Sequence, residues 1–275
     1  MMNQQDLQQI TAHGLTEERV EMQLQQLATG FPFLRLEAAA AIGAGIMAPT
    51  PEQVDNYVKT WEAYKSEGHQ IVKFVPASGA ASRMFKDLFG FLNASYDVPT
   101  TDFENTFFRQ LPRFAFWGEL NKKVQQIDGK SIDELLAEKN YKRIVALLLH
   151  PEGLNYGQLP KGLLLFHRYG AEARTPMEEH LVEAALYANS KGVAQVHFTV
   201  SHEHLALFKQ KVDAIKDKYE KEFGVTYHIT FSEQKPSTDT IAATPENTPF
   251  RNADGTLLFR PGGHGALIEN LNEIN

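Results

Sequence analysis

The sequence predicts an α/β protein built on a mostly parallel sheet, with an N-terminal helical segment and a helical insertion. From Ile71 onward, short apolar runs rich in β-branched and aromatic residues alternate with helical stretches. Such alternation implies parallel strands covered on both faces by helices. The composition, 43% apolar and 22% charged with 18 Phe, is that of a chain with a packed core, which argues against long disorder or low-complexity repeats. At 275 residues the chain exceeds the usual domain size of roughly 100–200 residues, so one large domain, or a domain with an appendage, is expected.

Residues 1–70 read as an N-terminal helical segment. Apolar residues recur at three- and four-residue intervals around Leu7–Ile10 and Val20–Leu27, the spacing of amphipathic helices. Thr50-Pro51-Glu52-Gln53 places a hydroxyl at an N-cap, proline at the first helical position and glutamine at the capping-box position. It predicts a helix through about Ser66, stopped by Gly68. Gly43-Ala44-Gly45 has no preceding strand and no third glycine, so it reads as helix termination rather than a dinucleotide turn.

Residues 71–275 read as the α/β domain. Ile71–Pro76 is the first strand, and the helical insertion occupies about 87–159, with Ser131-Ile132-Asp133-Glu134 as a capping box. A strand over Leu163–His167, a helix from Thr175, a strand over Val193–Val200, a helix from Ser201 to about Phe223 and a strand over Val225–Phe231 follow. Right-handed crossovers would gather the loops after these strands along one edge, where ligands bind in such folds.

Charge and composition exclude several functions. The sum 27 − 34 = −7 leaves no global positive field, so neither nucleic acid nor an anionic membrane is an expected partner. The absence of cysteine removes disulfides, thiol redox chemistry and cysteine-ligated metals, and suits a reducing cytoplasm. The N-terminus shows no leader pattern and no stretch reaches about 18 apolar residues, so a soluble cytoplasmic protein is expected.

Three segments carry the candidate chemistry. Ala77, Ser78, Gly79, Ala80, Ala81 and Ser82 are small enough to let backbone N–H groups approach an anion at a helix N-terminus, and Arg83 adds a guanidinium able to hold phosphate oxygens. A plain strand-to-helix turn with Arg83 on the surface is the alternative, and no Gly-Lys-Ser/Thr follows to make a Walker loop. Leu159-Pro160-Lys161-Gly162 puts a lysine at the start of a strand, where it can reach into the edge crevice. Pro261-Gly262-Gly263-His264-Gly265 means that the backbone turns sharply or that another molecule lies against it.

These segments resemble those of sugar nucleotidyltransferases, particularly the UDP-sugar pyrophosphorylases. Pro76-Ala77-Ser78-Gly79-Ala80-Ala81-Ser82-Arg83-Met84 resembles their Leu-x-x-Gly-x-Gly-Thr-Arg-Leu signature, and Pro160-Lys161-Gly162-Leu163 their Pro-Lys-Gly segment. Phe231-Ser232-Glu233-Gln234 is similar to their Phe-x-Gln-Gln, and Pro261–Leu271 to their Pro-x-Gly-Asn/His-Gly block. The order agrees in all four, over about residues 71–271. As a whole, the chain also resembles the N-terminal part of an uncharacterised bacterial family described as a domain of unknown function.

The resemblance implies a three-layer, GT-A or Rossmann-like nucleotide-diphospho-sugar transferase fold. It implies transfer of a nucleotidyl group, uridylyl in the first instance, from a nucleoside triphosphate to a sugar 1-phosphate or similar phosphorylated alcohol, with release of pyrophosphate. Arg83 and Lys161 would be the catalytic cations, and Ala77, Ser78, Gly79, Ala80 and Ser82 would cradle phosphates. Gln234, Gly262, Gly263, His264 and Gly265 would hold base and ribose. Mg²⁺ is expected, with its aspartate ligand on a strand beyond Asn275.

Two other classes stay open: a nucleotide or nucleotide-sugar binding module without turnover, and a structural α/β domain. Ser201-His202-Glu203-His204 with His197 invites a zinc reading, yet histidines two apart do not share a helical face as His-Glu-x-x-His does. The cluster Phe103, Phe107, Phe108, Phe114, Phe116, Trp117 reads as core rather than as a stacking platform.

Overall fold

The computed structural model describes residues 2–274. They form two compact units, one of Met1–Gln70 with Gln234–Asn275, the other of Ile71–Glu233. Roughly half of the chain is helical.

The first unit opens with α1 (Gln4–Ala12) and α2 (Glu17–Thr29). Asn3 and Asp6 form a capping box at the start of α1, and Thr16 caps α2. Two dipeptides, β1 (Ala41–Ile42) and β2 (Gly45–Ile46), flank a tight turn. Gly43 and Gly45 sit there at φ +83° and +96°, so they make a turn between extended residues and do not end a helix as the sequence suggested. Helix α3 (Pro51–Ser66) is the one foreseen, capping box included, and Gly68 follows it at φ +89°.

The second unit carries β3 (Val72–Pro76) and then the helical insertion: α4 (Lys86–Asn93), α5 (Asp102–Gln110), α6 (Trp117–Asp128), α7 (Ile132–Ala137) and α8 (Tyr141–Leu149). Its core gathers Phe85, Phe91, Phe107, Phe108, Phe116 and Leu148, while Phe103 and Phe114 stay at the surface. A hairpin of β4 (His167–Tyr169) and β5 (Glu172–Arg174) comes next, then α9 (Pro176–Tyr187), β6 (Asn189–Ser190), β7 (Val193–Val200), α10 (Leu205–Phe223) and β8 (Thr226–Glu233).

Leu163–His167 is therefore not a sheet strand. Lys161–Leu163 is a 3-10 turn, and Leu164 is buried in the helical cluster while Leu163 packs on the core of the sheet. Tertiary packing of an apolar run overrides its strand propensity here.

In the main sheet, β7 pairs in parallel with β3 on one side and with β8 on the other, and β6 adds two antiparallel pairs. Ala194, Val196, Phe198 and Val200 alternate onto one face, where they meet Leu181 and Ala184 of α9 and Phe208, Val212 and Ile215 of α10. Phe198 lies between the two helices, with His180 at 6.4 Å and Phe208 at 6.3 Å between ring centroids. Both helices thus share that face. The opposite face carries Phe74, Gln195, His197, Thr199, Thr230 and Ser232. The expected helical cover on both faces is not supplied by this unit's α9 and α10; a polar row stands where the second layer was anticipated.

The first unit closes with β9 (Thr240–Ile241), β10 (Phe259–Arg260) and α11 (Ile268–Leu271). The glutamine-rich helices bind β9 and the residues beside β9 and β10 through side-chain amides. Gln9 donates to Leu257 O and accepts from Leu257 N, both at 2.8 Å. Gln23 accepts from Ile241 N at 3.0 Å and donates to Asp239 O at 3.1 Å. Each amide replaces a missing ladder partner over a core of Ile10, Val20, Ile241 and Leu257. Among the described residues, no helix is long and apolar enough to cross a membrane.

Phe198→Ala should cost about 3–5 kcal/mol in urea unfolding of the full chain, because it empties the centre of the sheet core. Glu178 offers a test by pH. Burial alone would push its carboxyl up, but the Thr175 N–H at 2.8 Å and Lys211 Nζ at 2.9 Å hold it below the ordinary range. The ionised form therefore adds stability above the unfolded value of about 4.3, lost as pH falls through the lower folded value. Glu178→Gln should be less stable than the native chain at pH 7, with the deficit shrinking as the pH drops below about 4.3.

Candidate functional site

Register sets the edge. Pro76 lies opposite Thr199 and Val200 opposite Glu233, so the three parallel strands β3, β7 and β8 end together at their carboxyl ends. Within the second unit, Ala77–Arg83 follows β3 and Ser201–His204 follows β7.

The Ala77–Arg83 loop is anchored at two alanines. Ala77 donates its N–H to Thr199 O at 2.7 Å and is buried with the sheet core, and Ala81 is buried in the helical cluster. Their small side chains are explained by these seats. Gly79 is different: it is exposed, its φ is not left-handed, and a Cβ would meet nothing within 4 Å. Neither conformation nor packing within the chain requires glycine there. The loop runs into a 3-10 turn, Ser82–Phe85, before α4 begins, so Arg83 lies in that turn rather than at an α-helix N-terminus as expected.

Lys161 is brought onto the same loop despite its distance in sequence. Its N–H donates to Gly79 O at 3.0 Å, and Ala80 forms a β-bridge with Pro160. Gly162 lets the turn lie against α10, since a Cβ would come within 2.9 Å of Phe208 Cζ. Arg83 and Lys161 are exposed, and neither side chain has a hydrogen-bond or ion-pair partner among the described residues. Two unneutralised cations therefore flank one small-residue loop, an arrangement suited to phosphate.

Ser201–His204 braces the edge. Ser201 Oγ lies 2.7 Å from His204 Nδ1, and His204 Nε2 lies 3.0 Å from Gln158 O. A carbonyl only accepts, so Nε2 carries the proton and Nδ1 accepts from the serine hydroxyl. His202 Nδ1 sits 2.8 Å from Glu233 Oε2. On the polar sheet face, His197 contacts Thr230 Oγ1 and Ser232 Oγ at 2.8 Å each, and burial lowers its pKa, which favours the neutral ring. The histidines of the zinc reading thus face different partners. The described residues contain no group of three or more His, Asp or Glu suited to an ion.

Gln234 and Gly262–Gly265 lie in the first unit. Gln234 Nε2 donates to Gly262 O at 3.0 Å. A Cβ on Gly262 would come within 2.8 Å of Thr238 O, so packing explains this glycine. Gly263 and Gly265 meet nothing within 4 Å, and His264 is exposed at the start of a short 3-10 turn.

Sequence reasoning missed the His202–Glu233 pair and the Thr199, Thr230 and Ser232 row. A signal existed: Gln195, His197 and Thr199 alternate with Ala194, Val196 and Phe198 along one strand, the period of a sheet with one polar face.

Fold and edge together define an α/β protein with a local cationic loop at the carboxyl ends of parallel strands. The chain belongs to the family described as Domain of unknown function (DUF4301), whose model matches residues 3–275. No curated protein and no solved structure matches the chain. That description names no activity, so the likeness to sugar nucleotidyltransferases rests on the quoted segments alone.

Gly162→Val should destabilise the chain by about 1–3 kcal/mol through overpacking against Phe208, whereas Gly79→Ala should stay within about 0.5 kcal/mol of the native chain. Thermal unfolding of the two variants checks the contrast.

Proposed function

We propose that the chain binds a nucleoside triphosphate by its phosphates at the Ala77–Arg83 loop. We propose further that it transfers the nucleotidyl group, uridylyl in the first instance, to a sugar 1-phosphate or similar phosphorylated alcohol with release of pyrophosphate. One observation carries the reading. Two exposed, unpaired cations, Arg83 and Lys161, belong to segments that the Lys161 N–H to Gly79 O bond ties together.

In this reading Arg83 grips phosphate oxygens with its planar fork, and Lys161 neutralises the charge that develops at the α-phosphate. Gly79 leaves the backbone open to close approach, with Ser78, Ala80 and Ser82 beside it. Phosphoryl chemistry of this kind needs no protein nucleophile, because positioning and charge neutralisation lower the barrier. The assignment of Gln234, Gly262, Gly263, His264 and Gly265 to base and ribose rests on the resemblance alone. The three-layer nucleotide-diphospho-sugar transferase arrangement belongs to the same proposal. The described residues do not form a metal cage, and Glu233 is engaged by His202. Magnesium would enter with the triphosphate, held by carboxylates and phosphate oxygens.

Titration calorimetry with each nucleoside triphosphate and Mg²⁺ tests the reading. Binding of at least one is expected, and Arg83→Ala and Lys161→Ala should each weaken it by about tenfold or more, roughly 1.4 kcal/mol. Binding of none, or binding indifferent to both substitutions, contradicts it.

A further inference from the structure

The edge holds a group that phosphate binding does not use. His197, His202 and His204 all lie on or just beyond β7, the central strand, but their ring nitrogens are committed differently. His197 meets hydroxyls at both nitrogens, and His204 spends its two on Ser201 and Gln158 O. His202 uses Nδ1 alone, against Glu233 at 2.8 Å, and its side chain is 88% exposed. Its Nε2 has no partner among the described residues. A carboxylate on Nδ1 fixes the proton there, leaves the lone pair on Nε2 and stabilises the imidazolium that forms when Nε2 takes up a proton. This is the geometry of an oriented base with its orienter.

Its place in the fold adds to this. His202 follows the central strand by two residues, Glu233 ends the neighbouring strand, and the same turn is tied through His204 to Gln158, three residues before Lys161. The base therefore sits on a turn braced both to β8 and to the segment that carries Lys161.

We propose that His202, oriented by Glu233, accepts the proton of an attacking hydroxyl. The base serves a free alcohol hydroxyl, with water as a slow substitute, as a second acceptor beside the phosphorylated one, whose ionised oxygen needs no base. The inference rests on the nucleotide-binding reading above. In the step, the hydroxyl oxygen bonds to the α-phosphorus, the α-phosphorus–oxygen bond to pyrophosphate breaks, pyrophosphate leaves with the electron pair, and the hydroxyl proton passes to His202 Nε2. Glu233 is a positioning residue, since it acts through the imidazole.

The test uses the full chain with Mg²⁺ and the triphosphate that binds, with water and then glycerol as acceptors. Pyrophosphate release and triphosphate affinity are measured separately. Release is expected with water and is expected to be faster with glycerol. His202→Ala should lower it about 100-fold or more, leave the dissociation constant within about threefold, and recover in part when imidazole is added. Glu233→Gln should lower it by about tenfold, and the double variant should be no slower than His202→Ala alone. A merely structural role for His202 would show neither rescue nor this non-additivity. Bound triphosphate without release in either acceptor, or release that His202→Ala leaves unchanged, overturns the inference while the binding reading stands. Failure of the native chain to bind any triphosphate overturns both.

Discussion

The pairing of one strand on both sides governs the second unit. Val193–Val200 has Val72–Pro76 on one side and Thr226–Glu233 on the other, all parallel. Parallel strands cannot be joined by tight turns, so each link must be a long crossover that returns the chain to the same end of the sheet. Here the crossovers are the whole helical insertion with α9, and then α10. The consequence is chemical: segments distant in sequence are delivered to one edge. Apolar burial on one face of β7 against α9 and α10 holds that arrangement together.

The edge is positive only locally. The chain carries a net charge of −7, and many of its lysines and arginines are matched, as Arg143 is by Asp128 and Lys73 by Glu183. Arg83 and Lys161 are left unmatched, and both stand at one loop of small residues. An unpaired cation at the surface costs little in water, so stability does not forbid the arrangement, and the proposed phosphate binding would give it a use. The tight seat of Gly162 on Phe208 fixes the Lys161 turn, so the second cation is placed by packing rather than by its own side chain.

Much of this was legible in the sequence, and the failures have physical causes. Val193–Val200 was read to the residue, and the boxes at Thr50 and Ser131 and the helix from Thr175 are where their capping chemistry put them. These signals are local, so a linear reading finds them. Leu163–His167 failed because its apolar run divides between two cores, and only tertiary structure shows which side chain faces which. That α9 and α10 share one face follows from the handedness of two successive crossovers, which the alternation of strands and helices does not by itself specify. Of the candidate site, the loop and both cations were visible as residue types. Their juxtaposition depends on the bond from Lys161 N to Gly79 O, and the His202–Glu233 pair depends on the register of β7 with β8.

The central claim is that phosphate belongs at the Ala77–Arg83 loop. A crystal structure of the full chain grown with Mg²⁺ and a non-hydrolysable uridine triphosphate analogue tests it most directly. The account predicts phosphate oxygens within hydrogen-bonding distance of the Arg83 guanidinium and Lys161 Nζ, lying against the Gly79 backbone. Phosphates bound elsewhere, with Arg83 and Lys161 still solvated, would contradict it.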